Sequence, residues 1–170
     1  MSIALIGATG RTGRLVAEKL HRAGIPFRAL LRDEAQRAQF ESRGGSPVIV
    51  DLTQDFCAAL AGVNTLIFAA GSAESAPDAL RHYAQMKRAS DDYLIGSGLD
   101  YLVLRPATLT MEPGTGKIEI VADAQSARAP VAREDVADVA LEALRIGLVN
   151  TIVGFAGGSK PIDDALAALH

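Results

Sequence analysis

Ile3-Ala4-Leu5-Ile6-Gly7-Ala8-Thr9-Gly10-Arg11-Thr12-Gly13 is the stretch from which the fold can be read. Its first four residues are an apolar run too short for a helix and suited to a buried strand. Glycines follow at positions 7, 10 and 13, and then a helical pattern places Leu15, Val16 and Leu20 on one face. Strand, glycine-rich turn and helix, in that order, is the context in which such glycines bind phosphate. Gly7 is free to take a positive φ in a tight turn. Gly10 lacks the Cβ that would hold a pyrophosphate away from the backbone, and Gly13 lets the helix approach the strand. The orphan N–H groups and the positive end of the helix dipole then face the anion. The spacing is GxxGxxG rather than GxGxxG. A turn that binds nothing can use the same residues; the flanking strand and helix favour a dinucleotide.

Composition narrows the class. With 170 residues, 49% of them apolar, the chain suits one domain with a substantial core. Lys and Arg number 17 against 20 Asp and Glu, a net charge of −3. A mildly acidic, well-mixed surface gives no reason to expect nucleic acid or an anionic membrane as partner. No apolar run approaches the length of a membrane span. The first strand begins at Ile3, so no secretion signal is expected, and the reading is a soluble cytoplasmic protein. Cys57 is the one cysteine, which rules out an intrachain disulfide. It falls in a short helical stretch, as a buried small hydrophobe would. No metal site is expected, and a homo-oligomer is compatible with the sequence.

Along the chain, a first helix spans Thr12 to Ala23, closed by Gly24 and Pro26. Phe27 to Leu31 is the second strand, with Arg32 at its end. An acidic residue there would hold the ribose 2′-hydroxyl of NAD, whereas an arginine accommodates the 2′-phosphate of NADP. Arg11 can add a second charge-assisted contact. The preference read from these residues is NADP; the alternative is a solvated Arg32 paired with Asp33 or Glu34. Glu34 to Arg43 reads as a helix, Pro47 to Val50 as the third strand, and Asp55 to Ala61 as a short helix. Asp51 and Leu52 are placed to flank an adenine, and Asp51 or Thr53 equally to cap that short helix. Thr65 to Ala70 is the fourth strand, followed by Gly71-Ser72.

Ser75-Ala76-Pro77-Asp78 opens a helix running to about Ile95. Within it Tyr83 and Lys87 share a face. An ammonium near a phenol favours the phenolate and lowers a pKa that is otherwise near 10. Such a tyrosine can pass a proton to an acceptor that receives a hydride. An exposed helix with Lys87 paired to Asp91 is the plainer reading of the same spacing. Strands at Tyr101–Leu104, Ile118–Val121 and Asn150–Ala156 follow, with a loop from Ala107 to Lys117 and helices from Glu134 and Pro161. Val136, Val139, Ala140 and Leu144 repeat at helical spacing. Alternating strands and helices predict an α/β fold, a single-domain, Rossmann-like, doubly wound parallel sheet over residues 1–170.

In order along the chain, GATGRTG at Gly7–Gly13, ALLRD at Ala29–Asp33, VDLT at Val50–Thr53, FAAGS at Phe68–Ser72, YAQMKRASDDYL at Tyr83–Leu94, DYLVLRPATLT at Asp100–Thr110, GTGKI at Gly114–Ile118 and REDVADVALEAL at Arg133–Leu144 resemble the atypical short-chain dehydrogenase/reductases. The resemblance is to their NmrA-like, NAD(P)H-binding group, which includes biliverdin-IXβ-reductase-like proteins. It implies NADP(H) held by Gly7, Thr9, Gly10, Arg11, Thr12 and Gly13 at the pyrophosphate, by Arg32 at the 2′-phosphate, and by Asp51 and Leu52 at the adenine. Ala69, Ala70 and Gly71 would line the cofactor, Pro106 and Ala107 would touch the nicotinamide end, and Tyr83 and Lys87 would be the catalytic pair. The implied activity is NADPH-dependent reduction of a small carbonyl, quinone, flavin or tetrapyrrole-type acceptor. The alternative is a non-enzymatic NADP(H)-binding sensor or interaction protein.

One departure stands out. In the family, a helix and a fifth strand ending in serine separate the segment like FAAGS from the YxxxK helix. Here Ser72 is followed almost at once by that helix, so a strand-plus-helix unit on the order of 30 residues is expected to be absent. Ser72 is the one candidate to replace the family's serine.

Overall fold

A run of four apolar residues without alternation cannot leave one face wet, so it belongs inside a sheet covered on both sides. In the computed structural model, β1 (Ile3–Ile6) is such a strand, all four residues completely buried. The structure describes residues 2–42, 44–51, 57–69, 95–96, 100–124 and 126–169, the side chain of Cys57 excepted. The chain divides into two compact units, Met1–Gly71 and Ser72–His170.

In the first unit, β1 is followed by α1 (Arg11–Arg22), β2 (Phe27–Leu31), a 3₁₀ turn at Glu34–Gln36, α2 (Arg37–Glu41), β3 (Gly45–Ile49), a 3₁₀ turn at Cys57–Leu60 and β4 (Thr65–Phe68). The four strands form one parallel sheet in the order β3-β2-β1-β4. Ile6 stands opposite Leu30 on one side and Phe68 on the other, so the carboxyl ends of these three strands are level. α1 buries Gly13, Val16, Ala17 and Leu20, the i, i+3, i+4, i+7 stripe of an amphipathic helix. Leu15, expected on that face, is only half-buried and lies beside it. Gly24, with φ of 66°, ends the helix as expected. Ile6, Leu30 and Val50 form a core cluster with Val48, Ala59 and Leu60 against it.

Boundaries differ from the sequence reading by a residue or two at α1, at β3 and at the end of β4, and by more at two expected helices. The expected helix Glu34–Arg43 is a 3₁₀ turn passing into a five-residue α2. The Asp33 carboxylate accepts from Ala35 N at 2.9 Å and starts the tighter turn. β3 begins at Gly45, not Pro47, because pairing with β2 already starts at Phe27 and Gly45. Pro47 is tolerated because β3 lies at the edge of the four-stranded sheet. Of the expected helix Asp55–Ala61, the described part is the single 3₁₀ turn Cys57–Leu60.

The second unit contains β5 (Leu102–Pro106), β6 (Leu109–Thr110), β7 (Lys117–Ile120), β8 (Val131–Ala132), α3 (Arg133–Ile146), β9 (Thr151–Gly157), β10 (Lys160–Pro161) and α4 (Ile162–Ala167). Its sheet has the order β10-β7-β9-β5. β5 and β9 are parallel, but β7 runs antiparallel to both β9 and β10. The all-parallel expectation therefore holds for the first sheet and not for the second. Glycines allow the close approach of backbone here: a Cβ at Gly154 would meet the Val121 carbonyl oxygen at 2.4 Å, and one at Gly157 the Pro130 oxygen at 2.3 Å. α3 packs Val136, Val139 and Ala143 into a core with Ile118, Phe155 and Leu166, while Ala140 and Leu144 are only half-buried. The expected loop 107–117 carries a short strand, β6, paired in parallel with β8. The expected helix Ser75–Ile95 lies outside the described residues apart from its last position; Ile95 and Gly96 are helical.

Candidate functional site

The strand order β3-β2-β1-β4 reverses direction between β1 and β4, and open α/β sheets bind ligands outside the carboxyl ends of their strands at such a point. The segment leaving β1 there is the glycine turn. Gly7 takes φ of 78°, a conformation that favours glycine, and Gly10 N donates to the Gly7 carbonyl at 2.9 Å to close the turn. Gly10 is the N-cap of α1 and has no side chain to offer, and the first turn of α1 carries no acidic residue. An N-cap side chain ordinarily satisfies one of the orphan N–H groups of the first turn. Without one, the N–H groups of the first turn lack a side-chain cap and suit an anion. Gly13 is required for a different reason. A Cβ there would lie 2.1 Å from the Gly7 oxygen and 2.8 Å from the Gly7 carbonyl carbon, so helix and loop touch backbone to backbone. Arg14 Nη2 reaches the Thr9 carbonyl at 3.4 Å. Arg11 and Gly10 are exposed, and Thr9 and Thr12 half-buried, at the same turn.

The neighbouring strand ends continue the row. Ala69 N donates to the Ile6 carbonyl at 2.9 Å, which puts Ala69 beside Gly7. On the other side Arg32 follows Leu31, roughly one interstrand spacing of 4.8 Å from β1. Val50 N donates to the Leu31 carbonyl at 2.8 Å, and Asp51 comes next, exposed. Asp51, Arg32, the glycine turn and Ala69 thus stand side by side along one end of the sheet.

Arg32 is exposed, and both partners that would tie it down are engaged elsewhere. Asp33 holds Ala35 N, and Glu34 makes a two-point pair with Arg37. That bond from Arg37 holds the Glu34 carboxyl below its usual range and raises the Arg37 guanidinium. Among the described residues, none forms a hydrogen bond or ion pair with Arg32 or Arg11. The cradle, with backbone donors, no cap and two guanidinium groups at hand, fits an anionic nucleotide.

Leu52, Ala70, Gly71, Ser72, Tyr83 and Lys87 lie outside the described residues. Pro106 and Ala107 belong to the second unit. Pro106 ends β5 opposite Phe155, and Ala107, buried, donates from its N to the Phe155 carbonyl at 2.8 Å.

The second unit also holds a constellation to which the sequence reading gave no role. Asp135, 1% exposed, sits in the first turn of α3. Its carboxylate accepts from Gly116 N at 2.8 Å, from Thr115 N at 3.1 Å and from Thr115 Oγ1 at 3.3 Å. Glu134 beside it accepts from Gly114 N at 3.0 Å. The signal in the sequence was a Gly-Thr-Gly run and a later pair of adjacent acids, neither of which is decisive alone. Among the described residues, no group of three or more His, Cys, Asp or Glu is placed to hold a metal ion. No helix among them is long and apolar enough to cross a membrane.

A family model described as NAD(P)H-binding matches residues 7–79 and 72–146 of this chain. A Bacillus subtilis protein called an uncharacterized sugar epimerase, YhfK, is 28% identical over 216 aligned residues, covering 99% of this chain and 100% of that one. A solved structure from Bacillus halodurans, assigned provisionally to the NAD-dependent epimerases/dehydratases, is 25% identical with a TM-score of 0.88 and covers 99% of both chains. ChuY, titled an anaerobillin reductase from Escherichia coli O157:H7, shares the fold at 19% identity and a TM-score of 0.77, over 95% of this chain and 100% of its own.

Proposed function

Because this chain belongs to the NAD(P)H-binding family, we propose that it is an NADPH-dependent reductase of the atypical short-chain dehydrogenase/reductase, NmrA-like group. Residues 1–170 would act as one nucleotide-binding domain, with a small carbonyl, quinone, flavin or tetrapyrrole-type compound as acceptor. The observation that carries the reading is the uncapped glycine turn at the carboxyl end of the parallel sheet, with Arg32 one strand away. Gly7, Gly10, Gly13, Thr9, Arg11 and Thr12 serve the pyrophosphate. Arg32 serves the 2′-phosphate, which is the argument for NADP over NAD. Asp51 and Leu52 flank the adenine, and Ala69, Ala70 and Gly71 the ribose-diphosphate arm.

The nicotinamide, when bound, supplies hydride. The chain's part is to deliver a proton to the same acceptor, and Tyr83 is the residue assigned to it. Lys87, four residues on in the sequence, is assigned to lower the cost of the phenolate that remains and to reach the ribose hydroxyls. Pro106 and Ala107 border the nicotinamide. Ser72 is assigned the place of the family's serine. The B. subtilis and E. coli relatives carry different reaction names, epimerase and reductase, so those names do not choose the acceptor. The direct test is acceptor-dependent NADPH oxidation across a quinone, a flavin and a tetrapyrrole. Tyr83→Phe should lower turnover by about 10²- to 10⁴-fold; equal rates would remove Tyr83 from the mechanism.

A second reading has its own support. The alignment with the B. subtilis relative runs over 216 positions against 170 residues here, so some tens of residues of that relative have no counterpart in this chain. The two segments matched by the family model overlap at residues 72–79, beside the place where the missing unit is expected. Both observations support the absence of a strand-plus-helix unit and its serine. A chain without them that still holds NADP(H) would be a binding protein, a redox sensor or interaction module. Tight binding of NADPH with no turnover on any of the three acceptors would favour that reading.

A further inference from the structure

We infer that Arg37 is a specificity-determining residue for the nucleotide, acting through Glu34: it keeps that carboxylate off Arg32 and so leaves Arg32 open to a 2′-phosphate. This rests on the reading of Arg32 as the 2′-phosphate contact. Every residue involved belongs to the first compact unit. The chain leaves β2 as Arg32-Asp33-Glu34-Ala35-Gln36-Arg37, one cation followed directly by two acids. Asp33 is extended, with φ of −129° and ψ of 123°. Side chains on either side of an extended residue project the same way, so Glu34 is the acid that the backbone offers to Arg32. A carboxylate seated there would fill the guanidinium fork that a phosphate needs, and its charge would repel the phosphate as well.

The structure draws both acids away from Arg32. Asp33 Oδ1 accepts from Ala35 N at 2.9 Å and caps the 3₁₀ turn. Glu34 gives both of its oxygens to Arg37, one to Nε and the other to Nη2 at 3.0 Å. This is the two-point geometry that arginine offers a carboxylate and lysine cannot. Arg37 is itself held from two further sides. Its Nη1 donates to the Pro47 carbonyl of β3 at 3.3 Å, and Glu41 Oε1 lies 3.9 Å from the same nitrogen. Arg37 is therefore committed to Glu34 and β3, while Arg32 is exposed and has no hydrogen bond or ion pair among the described residues. The Glu34–Arg37 pair is itself exposed and adds little to stability. Its larger effect is on which charge faces the nucleotide: without Arg37, a free carboxylate stands two residues from Arg32.

The test is a cycle of variants titrated by calorimetry with NADPH and NADH at about 0.15 M salt, where the Debye length is about 8 Å and distant charges are muted. Arg37→Met should lower the preference for NADPH over NADH about two- to fivefold, the range of an exposed ion pair gained by Arg32. NADH affinity should stay within about 1.5-fold, which also reports that the variant is folded. In the Glu34→Gln background the same substitution should change the preference by less than about 1.5-fold, since no carboxylate is released. An unchanged preference in Arg37→Met would overturn the inference. An equal fall in both backgrounds would show Arg37 acting on the phosphate by its own charge and would overturn it too. Equal losses for NADPH and NADH, the mark of a disturbed fold, would do the same. If the wild-type chain bound neither nucleotide, the proposed function would fail and this inference with it. If it bound both equally, nucleotide binding would stand and the roles of Arg32 and Arg37 would both fall.

Discussion

Gly13→Ala pits local preference against packing. Gly13 lies in the first turn of α1, and its φ is not among the positive ones, so the backbone accepts alanine there. Helix propensity alone would make the variant more stable by about 1 kcal/mol. The surroundings reverse the sign. The added Cβ would stand 2.1 Å from the Gly7 oxygen, 2.8 Å from the Gly7 carbonyl carbon and 3.1 Å from Ala8 Cα. All three atoms are backbone, so no rotamer change relieves the clash, and the turn has to retreat by about 1 Å or more to reach ordinary contact near 3.5 Å. Overpacking of this kind costs about 1–3 kcal/mol. The retreat also strains the Gly10 N to Gly7 O bond, worth about 1 kcal/mol. After the propensity gain, a net loss of about 1–3 kcal/mol remains. That is a fall of roughly 2–10 °C in the melting midpoint for a chain of this size.

Gly10→Ala is the control. Its Cβ would meet a single atom, the Gly7 oxygen, at 3.2 Å, so stability should change little. The methyl group stands where a phosphate would approach, so NADPH affinity should fall about tenfold or more. Urea unfolding and calorimetric titration read the two effects separately. Gly13→Ala at or above wild-type stability would refute the packing argument. Gly10→Ala with full NADPH affinity would refute the assignment of this turn to the pyrophosphate.

Two further outcomes follow from the charges. Arg32→Ala should weaken NADPH binding about ten- to a hundredfold, the range of a charge-assisted bond, and leave NADH binding within about twofold; titration with both nucleotides checks it, and equal losses would end the argument for NADP. Glu34 has its carboxyl pKa lowered from 4.5, chiefly by the hydrogen bond from Arg37. Its contribution to stability is therefore present above 4.5 and is lost as pH falls through the lower folded value. The pair is exposed and the effect small, so Glu34→Gln should lose a small share of stability near neutral pH and show a slightly shallower acid limb in unfolding curves.

The parts legible in the sequence were those set by local chemistry. Ile3–Ile6 and Phe27–Leu31 match the observed strands residue for residue, because runs this apolar and this short have one stable use. Gly7 and Gly24 take the positive φ that the turn and the helix end call for. What could not be read was set by partners far along the chain. β3 starts at Gly45 because Phe27 is its partner. Arg28, a polar residue inside a strand, is held by the carbonyls of Ala59 and Ala61. β9 uses Gly154 and Gly157 where the carbonyls of Val121 and Pro130 come close. The Asp135 clasp joins residues about twenty apart, and nothing in either segment alone announces the other.

The order of these features along the chain separates binding from catalysis. The glycine turn, Arg32, Asp51 and Ala69 all precede the point near residue 71 where the first compact unit ends, and β1, β2 and β4 hold their ends level by pairing among themselves. A strand-plus-helix unit missing after β4 would remove none of these pairings. The residues proposed for the phosphates, Gly7 to Gly13 and Arg32, thus lie within one contiguous segment. Tyr83, proposed as proton donor, and Pro106 and Ala107, proposed as nicotinamide contacts, come later in the sequence, beyond the place where the unit would be lost. Neighbouring strands lie about 4.8 Å apart, and proton transfer needs heavy atoms within about 2.6–3.2 Å. A displacement of one strand is therefore large for the chemistry and immaterial to the phosphate site. Substitutions in the glycine turn should act on nucleotide affinity whether or not the chain turns over, whereas Tyr83→Phe can show an effect only if this chain brings the phenol to the acceptor.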